Sequence, residues 1–157
     1  MQAEEKIHEE RRAPAFRRIL LKASGEALMG AQNYGVDVGV AREVAEQIRD
    51  IHALGVEVAV VVSDTFGRPW REGQTDVAIG IAGIAPLRSY IGEVDPHGHE
   101  FRVQELCVVD ELAGAAELVK GNTSRVPVAV ARGYPWSRDD GASMRSVIRD
   151  AERDLFR

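Results

Sequence analysis

VEVAVVVSDTFGRPWREG, residues 56–73, is the stretch on which the reading of this chain turns. Six of its first seven residues are apolar and most are β-branched. A short apolar run rich in valine reads as a buried strand, most often a parallel one. In open α/β sheets ligands collect just beyond the carboxyl ends of the strands. Asp64 and Thr65 stand at such an end and offer the hard oxygen ligands that magnesium or manganese takes. Arg68 and Arg71 follow in a loop, and guanidinium groups grip phosphates in bidentate fashion. The residue types alone equally admit a plainer reading, in which Asp64 starts a turn and both arginines are solvated.

Working outward, the 157 residues suit one domain with a single core. An apolar content of 45% with 29% charged residues is that of a water-soluble globular chain. The net charge of −5 argues against a general nucleic-acid surface. Cys107 is the one cysteine, so no internal disulfide forms, and its apolar neighbours predict a buried thiol. No apolar run approaches the ~20 residues of a membrane span, and the N-terminus lacks an apolar signal core. The expected compartment is the cytoplasm.

Residues 1–15 are a charged flexible tail that Pro14 closes, and His8 in it is expected to be solvated. Phe16 to Lys22 reads as a first strand. It runs into Ser24 and Gly25, where a lysine, a hydroxyl and a glycine could grip a phosphate. The spacing is not that of a P-loop, and an ordinary strand-to-loop transition fits these residues as well. Val40, Val44, Ile48 and Ile51 then mark one face of a helix that Asp37 caps and Gly55 stops. Strand, helix and strand form a β-α-β unit with parallel strands.

Beyond the central loop, residues 76–83 read as a strand containing glycines. Residues 95–99, DPHGH, are a turn by composition; His97 and His99 favour that over a metal site. Residues 101–109 read as a strand. Asp110 is expected to cap a helix with Leu112, Ala115, Ala116 and Val119 as its buried stripe. The polar loop from Lys120 to Ser124 can bind phosphate or simply turn. Residues 126–131 form another strand, Tyr134 and Trp136 pack against the fold, and a last helix carries Met144, Val147, Ile148, Ala151 and Leu155 on one face. The fold class expected is α/β, a single domain with a mainly parallel or mixed sheet and flanking helices.

Two families are met along the chain. SDTFGRPWREGQTDVAIGIAG (63–83), ELCVVDELAGAAELVKG (105–121), VPVAVARG (126–133) and RDAERDLFR (149–157) resemble the C-terminal half of coenzyme F-420-0:L-glutamate ligase, the γ-glutamyl ligase of coenzyme F-420 biosynthesis. RRILLKASGEALMG (17–30), NYGVD (33–37) and IHALGVEVAVVV (51–62) resemble the start of bacterial uridylate kinase, of the amino acid kinase family. The expected organisation is therefore composite: a uridylate-kinase-like unit over 16–62 joined, within a strand that suits both, to a ligase-like portion over 63–157.

The ligase resemblance implies a GTP-dependent enzyme with Mg²⁺ or Mn²⁺, acting on F-420-0 and L-glutamate as a homodimer. It implies metal ligation by Asp64, Thr65 and Asn122, and nucleotide or phosphate contacts by Arg68, Arg71, Lys120, Gly121 and Asn122. The family's upstream acidic loop, Asn-Ala-Gly-Ile-Asp, is absent from this sequence, so weak or no activity of the chain alone is expected. The kinase resemblance implies ATP-phosphate contacts by Lys22, Ser24 and Gly25. Ser63-Asp64-Thr65-Phe66 stands where that family has a glycine-rich GGGN segment, which argues against uridylate kinase activity. A non-enzymatic chimera of two fragments is the third alternative.

Overall fold

The computed structural model describes residues 14–156, so most of the charged tail and His8 lie outside the described residues. Strands β1 (Arg18–Ser24), β2 (Glu57–Arg68), β3 (Arg71–Ala82) and β6 (Val128–Ala131) form one sheet in the order β3-β2-β1-β6. Between β3 and β6 the short strands β4 (Leu87–Ser89) and β5 (Glu105–Cys107) pair with each other. Helix α1 (Val38–Ala53) connects β1 to β2, and α2 (Val108–Lys120) precedes β6. The fold is α/β with a mixed sheet. Only β1 and β2 are parallel; β3 and β6 run antiparallel to their neighbours.

The valine-rich run behaves as its alternation demands. Ala59, Val61 and Ser63 are fully buried on one face, and Val58, Val60 and Val62 are half-buried on the other. The strand does not stop at Ser63, however. Its parallel pairing with β1 ends at Ser24 opposite Ser63, but β2 continues to Arg68 and folds back through Pro69 and Trp70 into β3. The loop expected over 66–73 is thus the tip of a β-hairpin. Thr65, Phe66 and Thr75 are good strand formers, and Gly73, unpaired in the bulge just past the turn, takes a φ of +82°.

Helix α2 covers the well-buried face. Val109, Ala113, Ala116 and Lys120 point inward, next to Leu20, Val61, Ala78 and Trp136. The expected stripe is rotated: Ala115 and Val119 are exposed, because the small side chains of Ala113 and Ala116 let the helix approach the sheet closely. Asp110 does not cap α2, whose first residue is Val108. It sits in the first turn, and its carboxylate accepts a hydrogen bond of 2.9 Å from the Ala78 N–H. Helix α1 has the predicted face and the predicted cap, with Asp37 accepting from Gly39 and Val40. None of its side chains is fully buried.

Three further expectations are settled. Residues 101–109 hold only the short β5, since Val108 already begins α2. The last helix is replaced by short 3₁₀ turns at Met144–Ser146 and Ala151–Arg153. Met144 packs against the core and Val147 is half-buried, but Ile148 and Leu155 are exposed, so the apolar face is buried only at its start. The DPHGH turn forms as read, with the Asp95 carboxylate accepting from the N–H groups of His97 and His99.

Gly83, after β3, has a φ of +73°, and a Cβ there would meet the Val58 carbonyl oxygen at 2.8 Å. Gly83→Ala is expected to destabilise the fold by at least the ~1–2 kcal/mol of a left-handed alanine. A lowered urea midpoint with an unchanged slope checks this.

Candidate functional site

An irregularity in the β2–β3 pairing builds the site. Val62 stands opposite Gly80, but Ser63 stands opposite Ala78, so Ile79 is an extra residue. Without it the register would set Asp76 opposite Phe66, with its side chain on the other face of the sheet. With it Asp76 stands opposite Thr65, on the face shared with Ser63. The Asp76 carboxylate accepts from Ser63 Oγ at 2.7 Å and from Thr65 Oγ1 at 2.9 Å.

Lys22 comes to the same point from β1. Its side chain is 1% exposed, and Nζ donates to Asp76 Oδ2 at 2.7 Å. Glu117 of α2 lies 3.4 Å from Lys22 Nζ and 3.1 Å from Lys120 Nζ. Two ammonium groups and two carboxylates thus balance one another under cover. Burial pulls Lys22 toward neutrality, but its bonds to Asp76 and Glu117 prevail and its pKa is raised. Burial likewise tends to raise Asp76, but bonds from Lys22, Ser63 and Thr65 prevail and hold it below the usual carboxylate range.

Above this knot a cavity of about 330 Å³ opens. One wall is Ser63, Asp64 and Thr65; the opposite wall is the loop after α2, with Lys120, Gly121 and Asn122. Ser24 lies at the end of β1 between them. The structure therefore brings together five residues singled out from the sequence on the ligase side, and Ser24 from the kinase-like side. Gly25 sits beside Asp64, where a Cβ would lie 3.7 Å from Asp64 Cγ. Lys22 is beneath the cavity rather than in its lining. Arg68 and Arg71 are not brought in. They face each other as the closing pair of the hairpin, and Arg68 donates to the Gly73 carbonyl at its tip.

Sequence reasoning passed over Asp76, Glu117 and Arg125. Arg125 lines the cavity and is the non-glycine residue with a positive φ, +54°, among those described. Backbone held in that region gathers at ligand sites. Cys107 is half-buried at the other end of α2, and burial pushes its thiol up to about 11, so it is an inert thiol at neutral pH.

The donor set decides what cation would fit. Among the described residues no three His, Cys, Asp or Glu side chains converge as a metal cage. Asp64 is exposed at the cavity, and its carboxylate accepts from the Thr65 N–H. With the Thr65 hydroxyl and the Asn122 amide oxygen, which line the same cavity, it would supply a partial all-oxygen shell. That suits Mg²⁺ or Mn²⁺, which keep water and substrate phosphates as further ligands. The C-terminal end of α2 also brings its negative dipole end to this cavity.

A family model described as F420-0:Gamma-glutamyl ligase matches residues 38–133. The coenzyme F420:L-glutamate ligase of Methanothermobacter thermautotrophicus is 42% identical over 122 residues, covering 76% of this chain and 47% of that protein. Its counterpart from Halobacterium salinarum is 35% identical over 174 residues, covering 94% of this chain and 69% of that protein. Another, from Haloarcula marismortui, is 45% identical over 117 residues, covering 72% and 44%. The chain thus spans about half the length of two of these three relatives. The ligase match also reaches back across α1, into the segment expected from the sequence to be kinase-like, and a kinase likeness there has no support from these comparisons.

Lys22→Ala would leave Asp76 buried beside only hydroxyl donors, and is expected to cost about 3–5 kcal/mol in chemical denaturation. The pH dependence follows from the shifts. Asp76, depressed in the fold, stabilises fully above its unfolded value near ~3.9, and this is lost as pH falls through its lower folded value. Lys22, raised in the fold, stabilises fully below ~10.4, and this is lost as pH rises through its folded value. Urea midpoints measured from about pH 2 to 5 should fall toward acid in the native chain, and less steeply in Asp76→Asn.

Proposed function

The chain belongs to the F420-0:gamma-glutamyl ligase family, and from that premise we propose that its cavity binds GTP with a divalent cation and serves GTP-dependent addition of L-glutamate to F-420-0. The observation that carries this reading is the meeting of Asp64 and Thr65 with Lys120, Gly121 and Asn122 across one cavity. Anionic oxygens and a cation are the ligands such a mixed wall takes.

In the proposed reaction the γ-phosphoryl group of GTP passes to the terminal carboxylate of F-420-0, giving an acyl phosphate and releasing GDP. The amine of glutamate then attacks the acyl carbon, and inorganic phosphate leaves. A bound divalent cation would lower the charge on the phosphate oxygens. Asp64, Thr65 and Asn122 would hold it. Lys120, Arg125 and the backbone of Gly121 would orient the phosphates. The buried charges beneath give these groups a fixed floor, so little reorganisation is needed when charge develops.

The kinase-like alternative for residues 16–62 has less behind it. Ser24 lines the cavity, but the Lys22 ammonium is already engaged by Asp76 and Glu117. A homodimer, implied by the family resemblance, fits the half-covered sheet face, where Ile79, Val128 and Val130 are exposed.

Calorimetry with Mn²⁺ and GTP, on the native chain beside Asp64→Asn, tests the reading. Metal-dependent GTP binding is expected, weakened by about 100-fold in Asp64→Asn, a loss at the upper end for groups that support a metal. Equal binding by both proteins, or none by the native chain, would overturn it.

A further inference from the structure

Asp76 lines the cavity beside Thr65, but its carboxylate is almost wholly engaged. Its side chain is 3% exposed, and three donors already occupy it: Lys22 Nζ and Ser63 Oγ on Oδ2, and Thr65 Oγ1 on Oδ1. It has little left to offer a ligand directly. Its effect on Thr65 is specific, however. A threonine hydroxyl has one proton and two lone pairs. Once that proton is donated to Asp76, the oxygen can present only lone pairs to the cavity. A hydroxyl so fixed is an acceptor, and hence a ligand for a cation rather than a donor to a phosphate.

Lys22 makes this arrangement stable. Its Nζ holds Oδ2 at 2.7 Å, which leaves Oδ1 turned to the Thr65 hydroxyl. Ser63 closes the remaining freedom, because its bond to Oδ2 stops the carboxylate turning about its axis. The extra residue Ile79 puts Asp76 on this face in the first place.

Resting on the metal-binding reading above, we propose that Asp76, held by Lys22 and Ser63, is a positioning residue that polarises the Thr65 hydroxyl as a cation ligand. Asp76 acts through Thr65, and touches neither cation nor substrate. Asn in its place would turn an N–H toward Thr65 Oγ1 and use up a lone pair the cation needs.

The test is a double-mutant cycle on Mn²⁺ affinity, read by calorimetry and by the electron paramagnetic resonance signal of free Mn²⁺. Asp76→Asn is expected to weaken Mn²⁺ binding by about 10- to 100-fold, as loss of a hydrogen-bond partner to a metal ligand does. In a Thr65→Val background, which has no hydroxyl to orient, the same change should have almost no further effect. Thr65→Ser, which keeps the hydroxyl, should stay near the native affinity. Ser63→Ala leaves the ion pair in place and should give a smaller loss that also vanishes beside Thr65→Val. If Asp76→Asn fails to fold, the Ser63→Ala cycle decides. Losses that simply add to that of Thr65→Val, or no loss at all, would overturn the proposal. If the native chain itself binds no Mn²⁺, it is the metal-binding reading that falls, and this proposal falls with it.

Discussion

Everything that positions the cavity passes through the bond between Lys22 and Asp76. The two groups are buried on β1 and β3, the strands that flank β2, and they meet over the face that α2 covers. Glu117 and Lys120 bring the last turn of α2 to the same point. A buried charge is tolerated only when paired, and a pair left with one member is strongly unfavourable. Strand register, helix placement and the position of the loop after α2 are therefore tied to one another. A slip in any of them would leave a charge unmatched in the core.

The two faces of the sheet differ in how they are held. On the α2 side Ala59, Val61 and Ala78 meet Val109, Ala113 and Trp136, and the packing is close. On the α1 side Val58, Val60 and Val62 are half-buried, α1 has no fully buried side chain, and Ile79, Val128 and Val130 are exposed. By ordinary transfer bookkeeping at about 25 cal/mol per Å², most hydrophobic stabilisation then comes from the α2 side. The same side carries the polar knot. The most rigid part of the protein is thus the floor of the cavity, which is where a ligand-binding constellation needs rigidity.

Much of this was legible in the sequence. The valine-rich strand, the capped helix α1 and the turn at Asp95 follow local rules that need no partner. Asp64 and the loop after α2 were singled out by residue type and by family likeness, and the fold sets them across one cavity. What escaped depends on pairing between distant segments. The hairpin reads as a loop because Gly67, Pro69 and Gly73 are turn residues, whereas the ladder is made by Asp64 to Gly67 pairing with Gln74 to Val77. Asp76 was passed over because a strand aspartate reveals its face only once the register is known, and here one extra residue decides it. Glu117 was hidden by an expected stripe drawn through Val119, one position away from the buried Lys120. The last helix differs for the opposite reason: its periodicity is present, but beyond Met144 and Val147 little surface lies beneath it.

The same dependence explains why a lysine next to a serine and a glycine need not hold phosphate. Lys22-Ala23-Ser24-Gly25 has the residue types of an anion grip, but a strand alternates its side chains between faces. Lys22 therefore points into the α2 face, two residues before the open end, and meets a carboxylate there. Ser24, the next residue on that face, reaches the cavity instead. At the opening the positive charge comes from the far wall, from Arg125, while Lys120 beside it is shared with Glu117. The division is one of depth: paired charges below, which fix geometry, and charges above them that a ligand can share. That arrangement, more than any single residue, is what the proposed binding of anionic oxygens and a cation in one small cavity rests on.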